Sequence, residues 1–290
     1  MAPRIWSWRD VISRKLITGR AGRSSGSSHA QGPSAIAACW RAPGWRVALD
    51  VVFLQHFGHS YFHARVAAAA ADIVAVGQGI VTGQTGWIGS IIVRPDARRR
   101  GLGSRMTQEV TASLRRDGCS SLLLVATPLG EPVYRRLGFR KTADYVFMDV
   151  PRLPPQAISA IRRLGPADVN DVLGLDATAT GETRTDLVTP HLASGWVHID
   201  QDGLLDGYVL PSLGAALVIA QTPVAGLALL RFKHACLPGT AVVPAANTAA
   251  LEFLLTRGAK ETARAPRMAL GDEADWRPEW IYPRAAGYCG

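Results

Sequence analysis

Three consecutive arginines stand before two glycines in Val93-Arg-Pro-Asp-Ala-Arg-Arg-Arg-Gly-Leu-Gly-Ser104, directly after the apolar run WIGSIIV. These residue types in this order fit a bound polyphosphate. A strand that hands over to a helix through a tight loop points several backbone N–H groups at one spot, and the helix dipole adds positive potential there. Gly101 and Gly103 let a ligand approach the main chain with no Cβ in the way, while Arg98, Arg99 and Arg100 supply charge that pairs with phosphate oxygens. A dinucleotide fingerprint would need a third glycine where Met106 stands, and a nucleotide-triphosphate loop would need Gly-Lys-Ser/Thr, which is absent.

The elements that must position these groups follow from patterning. YFHARV, DIVAVGQGIVTG and WIGSIIV, separated by glycine-containing turns, predict consecutive strands of one sheet. Met106, Val110 and Leu114, spaced by four, predict a helix after the loop, stopped at Gly118 behind Arg115 and Arg116. SLLLVA at 121–126 is a short apolar strand of the kind buried on both faces, Pro132 opens the helix of PVYRRLG, and DYVFMDV is a further strand ending at Val150. PRLPP at 151–155 is a stiff linker. Beyond it the grammar repeats: a strand at IRRL, a helix with Pro166 in its first turn, strands at WVHI, GYVLP, ALVIA and EWIY, and a helical NTAALEFLLTRG. The expected division is therefore 1–34, 35–150, the linker 151–155, and 156–290.

The formal charge of +9 over 290 residues suggests nucleic acid until it is divided along the chain. Residues 1–46 hold eight Lys/Arg and one Asp, whereas residues 156–290 hold eleven basic and fourteen acidic residues. The basicity thus belongs mostly to the amino-terminal segment, and no helix-turn-helix, zinc-finger or aromatic-sheet pattern accompanies it, so no nucleic-acid partner is expected. Residues 1–34, rich in Arg, Ser and Gly, are expected to be a disordered basic extension, a dispensable start or a targeting segment; Trp6, Trp8, Val11, Ile12 and Leu16 could form a short amphipathic helix there. Cys39, Cys119, Cys236 and Cys289 lie far apart without ligand spacing, which predicts neither a disulfide framework nor a metal. The longest apolar run, 66–76, contains Asp72 and is too short to cross a bilayer. A cytoplasmic protein with no membrane partner is expected.

The order strand, V-x-P, R-x-x-G-x-G, amphipathic helix, buried strand, then VYRRLGF resembles the GNAT superfamily of acetyl-CoA-dependent N-acetyltransferases. The resemblance implies a pyrophosphate loop for coenzyme A on Arg98, Arg99, Arg100, Gly101, Leu102, Gly103 and Ser104. It implies a preceding strand, Ile91, Ile92 and Val93, that bonds the pantetheine arm through its backbone, and Tyr134 as the acid for the departing thiolate. Acetyl-CoA is then the co-substrate, without a metal, and a small-molecule amine or amino acid is the acceptor, bound by a monomer or homodimer.

Departures from the family pattern are informative. Thr127 stands where the family often has an Asn toward the pantetheine amide, and no Asp or Glu occupies WIGSIIV or SLLLVAT, where a general base is common. Asp149, His56 and His59 are the remaining base candidates. The segment NTAALEFLLTRGA matches the family's second helix at Asn247, Ala250 and Gly258 but has Leu254 at the Tyr position, and no R-x-x-G-x-G precedes it. By resemblance the chain is α/β: two tandem GNAT-like lobes, each a mixed, mostly antiparallel sheet flanked by helices, the second degenerate and serving as substrate wall or lid. Asp176, Glu182, Asp186 and Asp200 would suit a cationic acceptor there, and Arg184 could clamp a carboxylate. A non-catalytic acyl-CoA sensor is the competing reading, motivated by the missing base.

Overall fold

The computed structural model describes residues 4–7, 56–69, 72–156 and 158–287. The chain forms two compact units, Met1–Val81 with Gly86–Cys119, and Thr82–Thr85 with Ser120–Gly290.

In the first unit, strands β1 (Arg4–Ser7), β2 (Phe62–Ala69), β3 (Asp72–Thr82) and β4 (Thr85–Val93) are neighbours in that order, except that the tight turn between β3 and β4 groups with the second unit. Strand β1 pairs antiparallel with β2, from Arg4 opposite Ala68 to Ser7 opposite Arg65. This corrects the expectation for residues 1–34: four of them form an edge strand, because Ile5 finds an apolar seat against the cluster of Ala67, Val74 and Met106. Trp6 is extended rather than helical, and the other residues of the expected amphipathic helix lie outside the described residues. Helix α1 (Leu102–Arg116) buries Met106, Val110 and Leu114, the face read from their spacing. It lies close to β3 because Gly77 and Gly79 have no side chains. A Cβ at Gly77 would stand 2.8 Å from Met106 Cγ, and one at Gly79 2.9 Å from Leu114 Cδ2.

The second unit holds β5 (Ser121–Val125), α2 (Glu131–Arg136), β6 (Arg140–Val150), β7 (Ile161–Arg163), α3 (Val169–Thr180), α4 (Thr185–Val188), β8 (Trp196–Ile199), β9 (Leu205–Leu210), β10 (Leu217–Ala220), α5 (Pro223–Cys236), β11 (Gly239–Pro244), α6 (Thr248–Leu255) and β12 (Lys260–Gly271). Strands β10, β9, β8 and β7 form one antiparallel sheet. A second run has the order β5-β12-β6-β11, again antiparallel. The last long strand of the chain is thus inserted between β5 and β6, with Met268 opposite Leu124 on one side and Lys141 on the other. Residues 151–155 lie inside this unit. EWIY is not a strand: Pro278–Trp280 is a short 3-10 turn, and Ile281 makes a single bridge to Ile219.

The core of this unit joins Val146 and Met148 of β6 to Leu229 and Leu230 of α5, Phe253 of α6 and Tyr282. Gly226 on α5 carries the Tyr282 ring so closely that a Cβ would stand 1.9 Å from Cζ. Lys233 is buried in this core at 3% exposure, its Nζ 3.2 Å from His234 Nε2 and donating to the Thr240 carbonyl at 3.3 Å. Burial pulls Lys233 from the ordinary 10.5 down to about 7. Burial, and then the Lys233 charge, pull His234 down to about 3.

Between pH about 7 and 10.5 the unfolded lysine holds a proton that the folded one has released, so stability rises with pH across that window. Below it both states are protonated and the full penalty remains. Lys233→Met is therefore expected to raise stability at pH 7 by on the order of 3 kcal/mol and to flatten the rise, as urea unfolding from pH 6 to 10 would show. An unchanged slope in the variant would mean that Lys233 stays charged in the fold.

Candidate active site

Strand β4 ends at Val93, a 3-10 turn covers Pro95–Ala97, and the loop reaches α1 through Arg98, Arg99, Arg100 and Gly101. Arg99 (φ 58) and Gly101 (φ 73) are both left-handed, so the loop holds one strained non-glycine residue beside the glycine that tolerates the same conformation. The three arginines are exposed and Leu102 is buried as the anchor of the first helical turn. Arg98 Nε donates to the Val93 carbonyl at 3.0 Å, which ties the loop back to the strand end. No side chain caps the helix and no acidic residue stands in its first turn. The N–H groups of Leu102, Gly103 and Ser104 have no acceptor within the helix by geometry, so they point outward as a donor set. A Cβ at Gly101 would meet nothing within 4 Å, and at Gly103 only Val93 Cγ2 at 3.8 Å. Gly101 therefore faces open space, as close approach by a ligand requires, and Gly103 touches only Val93.

Upstream on the same strand Ser90 adopts φ 50, which interrupts the extended path of β4 just before Ile91 and Ile92. A non-glycine residue held in this region costs energy that the surroundings must over-determine, and such positions concentrate at functional sites. The sequence carried no sign of it beyond a Gly-Ser pair. Gln78 on β3, fully buried with neither amide atom hydrogen-bonded among the described residues, was likewise missed. An amide cannot take up a proton at neutral pH, but one placed so can hold an ordered water.

In the second unit, Tyr134 sits on α2, at 9% exposure, edge-on to Phe139 with ring centres 6.0 Å apart. Gly130 seats the ring, since a Cβ there would stand 2.7 Å from Tyr134 Cε2. Thr127 Oγ1 accepts from the Gly130 N–H at 3.2 Å, so the threonine shapes the turn that begins α2 and keeps its own hydroxyl hydrogen for another acceptor. Burial raises Tyr134 to about 12, which keeps the phenol protonated throughout the neutral range.

The other residues read from sequence sort by burial and partner. Asp149 is exposed on β6, across from Thr240 and Lys260. His56 is buried against Tyr61, with Nδ1 3.3 Å from Tyr61 Oη, and His59 stacks on the same ring. The acidic wall expected for a cationic acceptor is corrected at its two central members. Asp176, 2% exposed, takes both forks of Arg184 at 2.7 and 2.8 Å and accepts from the Tyr208 hydroxyl, and Glu182 accepts from Thr82 Oγ1 at 2.7 Å. Arg184 is spent in the same pair, so it clamps no acceptor carboxylate. Asp200 closes a turn by accepting from the N–H groups of Asp202 and Leu204, and Asp186 is exposed on α4. Among the described residues no group of three or more His, Cys, Asp or Glu could hold a metal ion, and no helix is long and apolar enough to cross a membrane.

Residues 67–148 match the FR47-like protein family. A proposed acetyltransferase from Pyrococcus horikoshii superposes over 100% of this chain and 95% of its own, with TM-score 0.77 at 18% identity. The chain has the GNAT fold. The GCN5-related N-acetyltransferase from Sphaerobacter thermophilus has the same GNAT architecture over 81% of this chain and 90% of its own, with TM-score 0.59 at 16% identity. A conserved protein of unknown function from Enterococcus faecalis follows at TM-score 0.51 and 16% identity, over 93% and 72%. No curated protein matches the chain in sequence. Within the GNAT frame, the strand, arginine-glycine loop and helix at 91–104 all fall inside the matched residues, as does Tyr134.

Proposed function

We propose that the protein is an N-acetyltransferase that moves an acetyl group from acetyl-CoA to a primary amine of a small molecule or amino acid. The observation that carries this reading is the uncapped start of α1, where Gly101 faces open space, a Cβ at Gly103 would touch only Val93, and the three preceding arginines are exposed. In this reading the N–H groups of Leu102, Gly103 and Ser104 and the guanidiniums of Arg98, Arg99 and Arg100 hold the pyrophosphate of coenzyme A. Backbone groups of Ile91, Ile92 and Val93 take the pantetheine arm, with the Thr127 hydroxyl as a donor to it.

The neutral amine attacks the thioester carbonyl, the N–C bond forms, and the C–S bond of the tetrahedral intermediate then breaks to release the amide. Strand N–H groups can stabilise the intermediate's oxyanion. Tyr134 is the donor toward the departing sulfur. With its pKa near 12 against about 8.5 for an ordinary thiol, it assists by a hydrogen bond that strengthens as sulfur gains charge, and the thiolate can take its final proton from solvent. The attacking nitrogen becomes cationic as the N–C bond forms and sheds one proton to water, since no carboxylate stands on β4 or β5.

Calorimetric titration with acetyl-CoA tests the cofactor assignment. Binding at one site per chain is expected, weakened at least tenfold in Arg98→Ala and abolished when Gly101 and Gly103 are both changed to Val. Equal affinity in the parent and both variants would remove the loop from the proposal.

A further inference from the structure

A different group of arginines, in the second unit, has no role in the reaction proposed above. Arg152 in the segment after β6, Arg231 on α5 and Arg257 just past α6 line an open surface pocket of about 650 Å³ together with Leu153, Pro154 and Thr256. Most other buried or ordered arginines of this unit are neutralised: Arg162 by Asp168, Arg184 by Asp176, Arg264 by Glu261 and Arg267 by Glu273. Among the described residues Arg152, Arg231 and Arg257 have no such carboxylate.

Two of the three have local anchors. Arg152 Nη1 donates to the Ala235 carbonyl at 2.6 Å, and Arg257 Nη1 to the Phe253 carbonyl and Thr256 Oγ1, each at 3.1 Å. Those bonds satisfy carbonyls near the ends of α5 and α6, an ordinary duty for arginine. They use one terminal nitrogen of each fork. Arg231 has no such duty. Its guanidinium carbon lies 5.6 Å from the centre of the Phe253 ring, and that of Arg257 lies 3.6 Å from the same centre. One aromatic ring thus carries two like charges without neutralising either. The repulsion is felt: Arg257 is held below its ordinary pKa by burial and, next, by the Arg231 charge.

We propose that this pocket is a binding site for a small phosphorylated molecule, whose phosphate lies between Arg152, Arg231 and Arg257. Planar guanidinium forks match phosphate oxygens in pairs, and a dianion relieves the repulsion that the protein itself leaves standing. Leu153 and Pro154 offer an apolar wall to the organic part, and the volume is in the range of small-molecule sites, about 300 to 1,000 Å³. The site shares no residue with the loop at 98–104.

The probe is inorganic pyrophosphate, titrated calorimetrically into a parent chain carrying Gly101→Val and Gly103→Val, which closes the loop at 98–104 to the same anion, and into that chain with Arg231→Gln, Arg152→Gln or Arg98→Ala added. Arg231→Gln removes charge and no hydrogen bond, so its melting temperature in phosphate-free buffer is expected to be equal to the parent's or higher, while its affinity for pyrophosphate falls at least tenfold. Arg152→Gln, altered in a different segment, is expected to show a similar fall, which separates loss of the site from local unfolding. Arg98→Ala retains this binding. Absence of saturable binding to the parent overturns the proposal, as does undiminished affinity in Arg231→Gln or loss of all binding in Arg98→Ala. A failure of acetyl-CoA to bind would leave each of these outcomes readable.

Discussion

Tyr134→Phe lowers turnover by about 10²- to 10⁴-fold and leaves acetyl-CoA affinity within about twofold of the parent, if the phenol serves the leaving sulfur. The change removes one oxygen from a ring that is otherwise held by Gly130 and Phe139, so packing survives. Burial keeps the hydroxyl protonated to pH about 12, and the loss is therefore expected to be similar at pH 7 and pH 9. The measurement is steady-state turnover with a panel of amines beside calorimetric binding of acetyl-CoA. A variant that binds and turns over like the parent would remove Tyr134 from the chemistry; a parent with binding but no turnover on any amine would favour the sensor reading.

The second large effect is on stability. Arg184→Met is expected to cost about 3–5 kcal/mol, because it strands the Asp176 carboxylate in the interior with only the Tyr208 hydroxyl beside it. For a chain of this size that is a fall in melting temperature of about 5–8 °C. Asp176→Leu combined with Arg184→Met should recover much of the loss, since removing both charges also removes their desolvation penalty. Arg184→Lys keeps the charge without the two-pronged fork and should fall between. Thermal and urea unfolding of the three variants check the ranking; a single variant as stable as the parent would mean that Asp176 is solvated.

The elements that carry the proposed site were legible because each has a local signal. Met106, Val110 and Leu114 set the buried face of α1, the apolar SLLLV is β5, and Pro132 stands in the first turn of α2. What escaped was non-local. The residues of β12 before Ala265 are exposed and, Ala263 apart, polar, with no alternation to betray a strand, and its partners lie more than a hundred residues earlier in the chain. Helix α5 was missed because Leu229 and Leu230, with Ala225, leave only a weak apolar stripe on a segment hydrophobic on several sides. Asp176 and Arg184 read as groups for an acceptor because composition does not record pairing, and eight residues of separation do not by themselves bring a carboxylate to a guanidinium.

The placement of β12 has a consequence for synthesis of the chain. When residues 121–150 leave the ribosome, β5 and β6 are both complete in sequence, yet the strand that belongs between them, Lys260–Gly271, has still to be translated. Until then two apolar strands have unpaired backbone edges, the condition that invites pairing with another nascent chain. At about 5–20 residues per second the remaining stretch takes several seconds or more. The gap closes only when Lys260–Gly271 emerges, so a chain that stopped short of residue 260 would carry the arginine-glycine loop and an open seam beside β5.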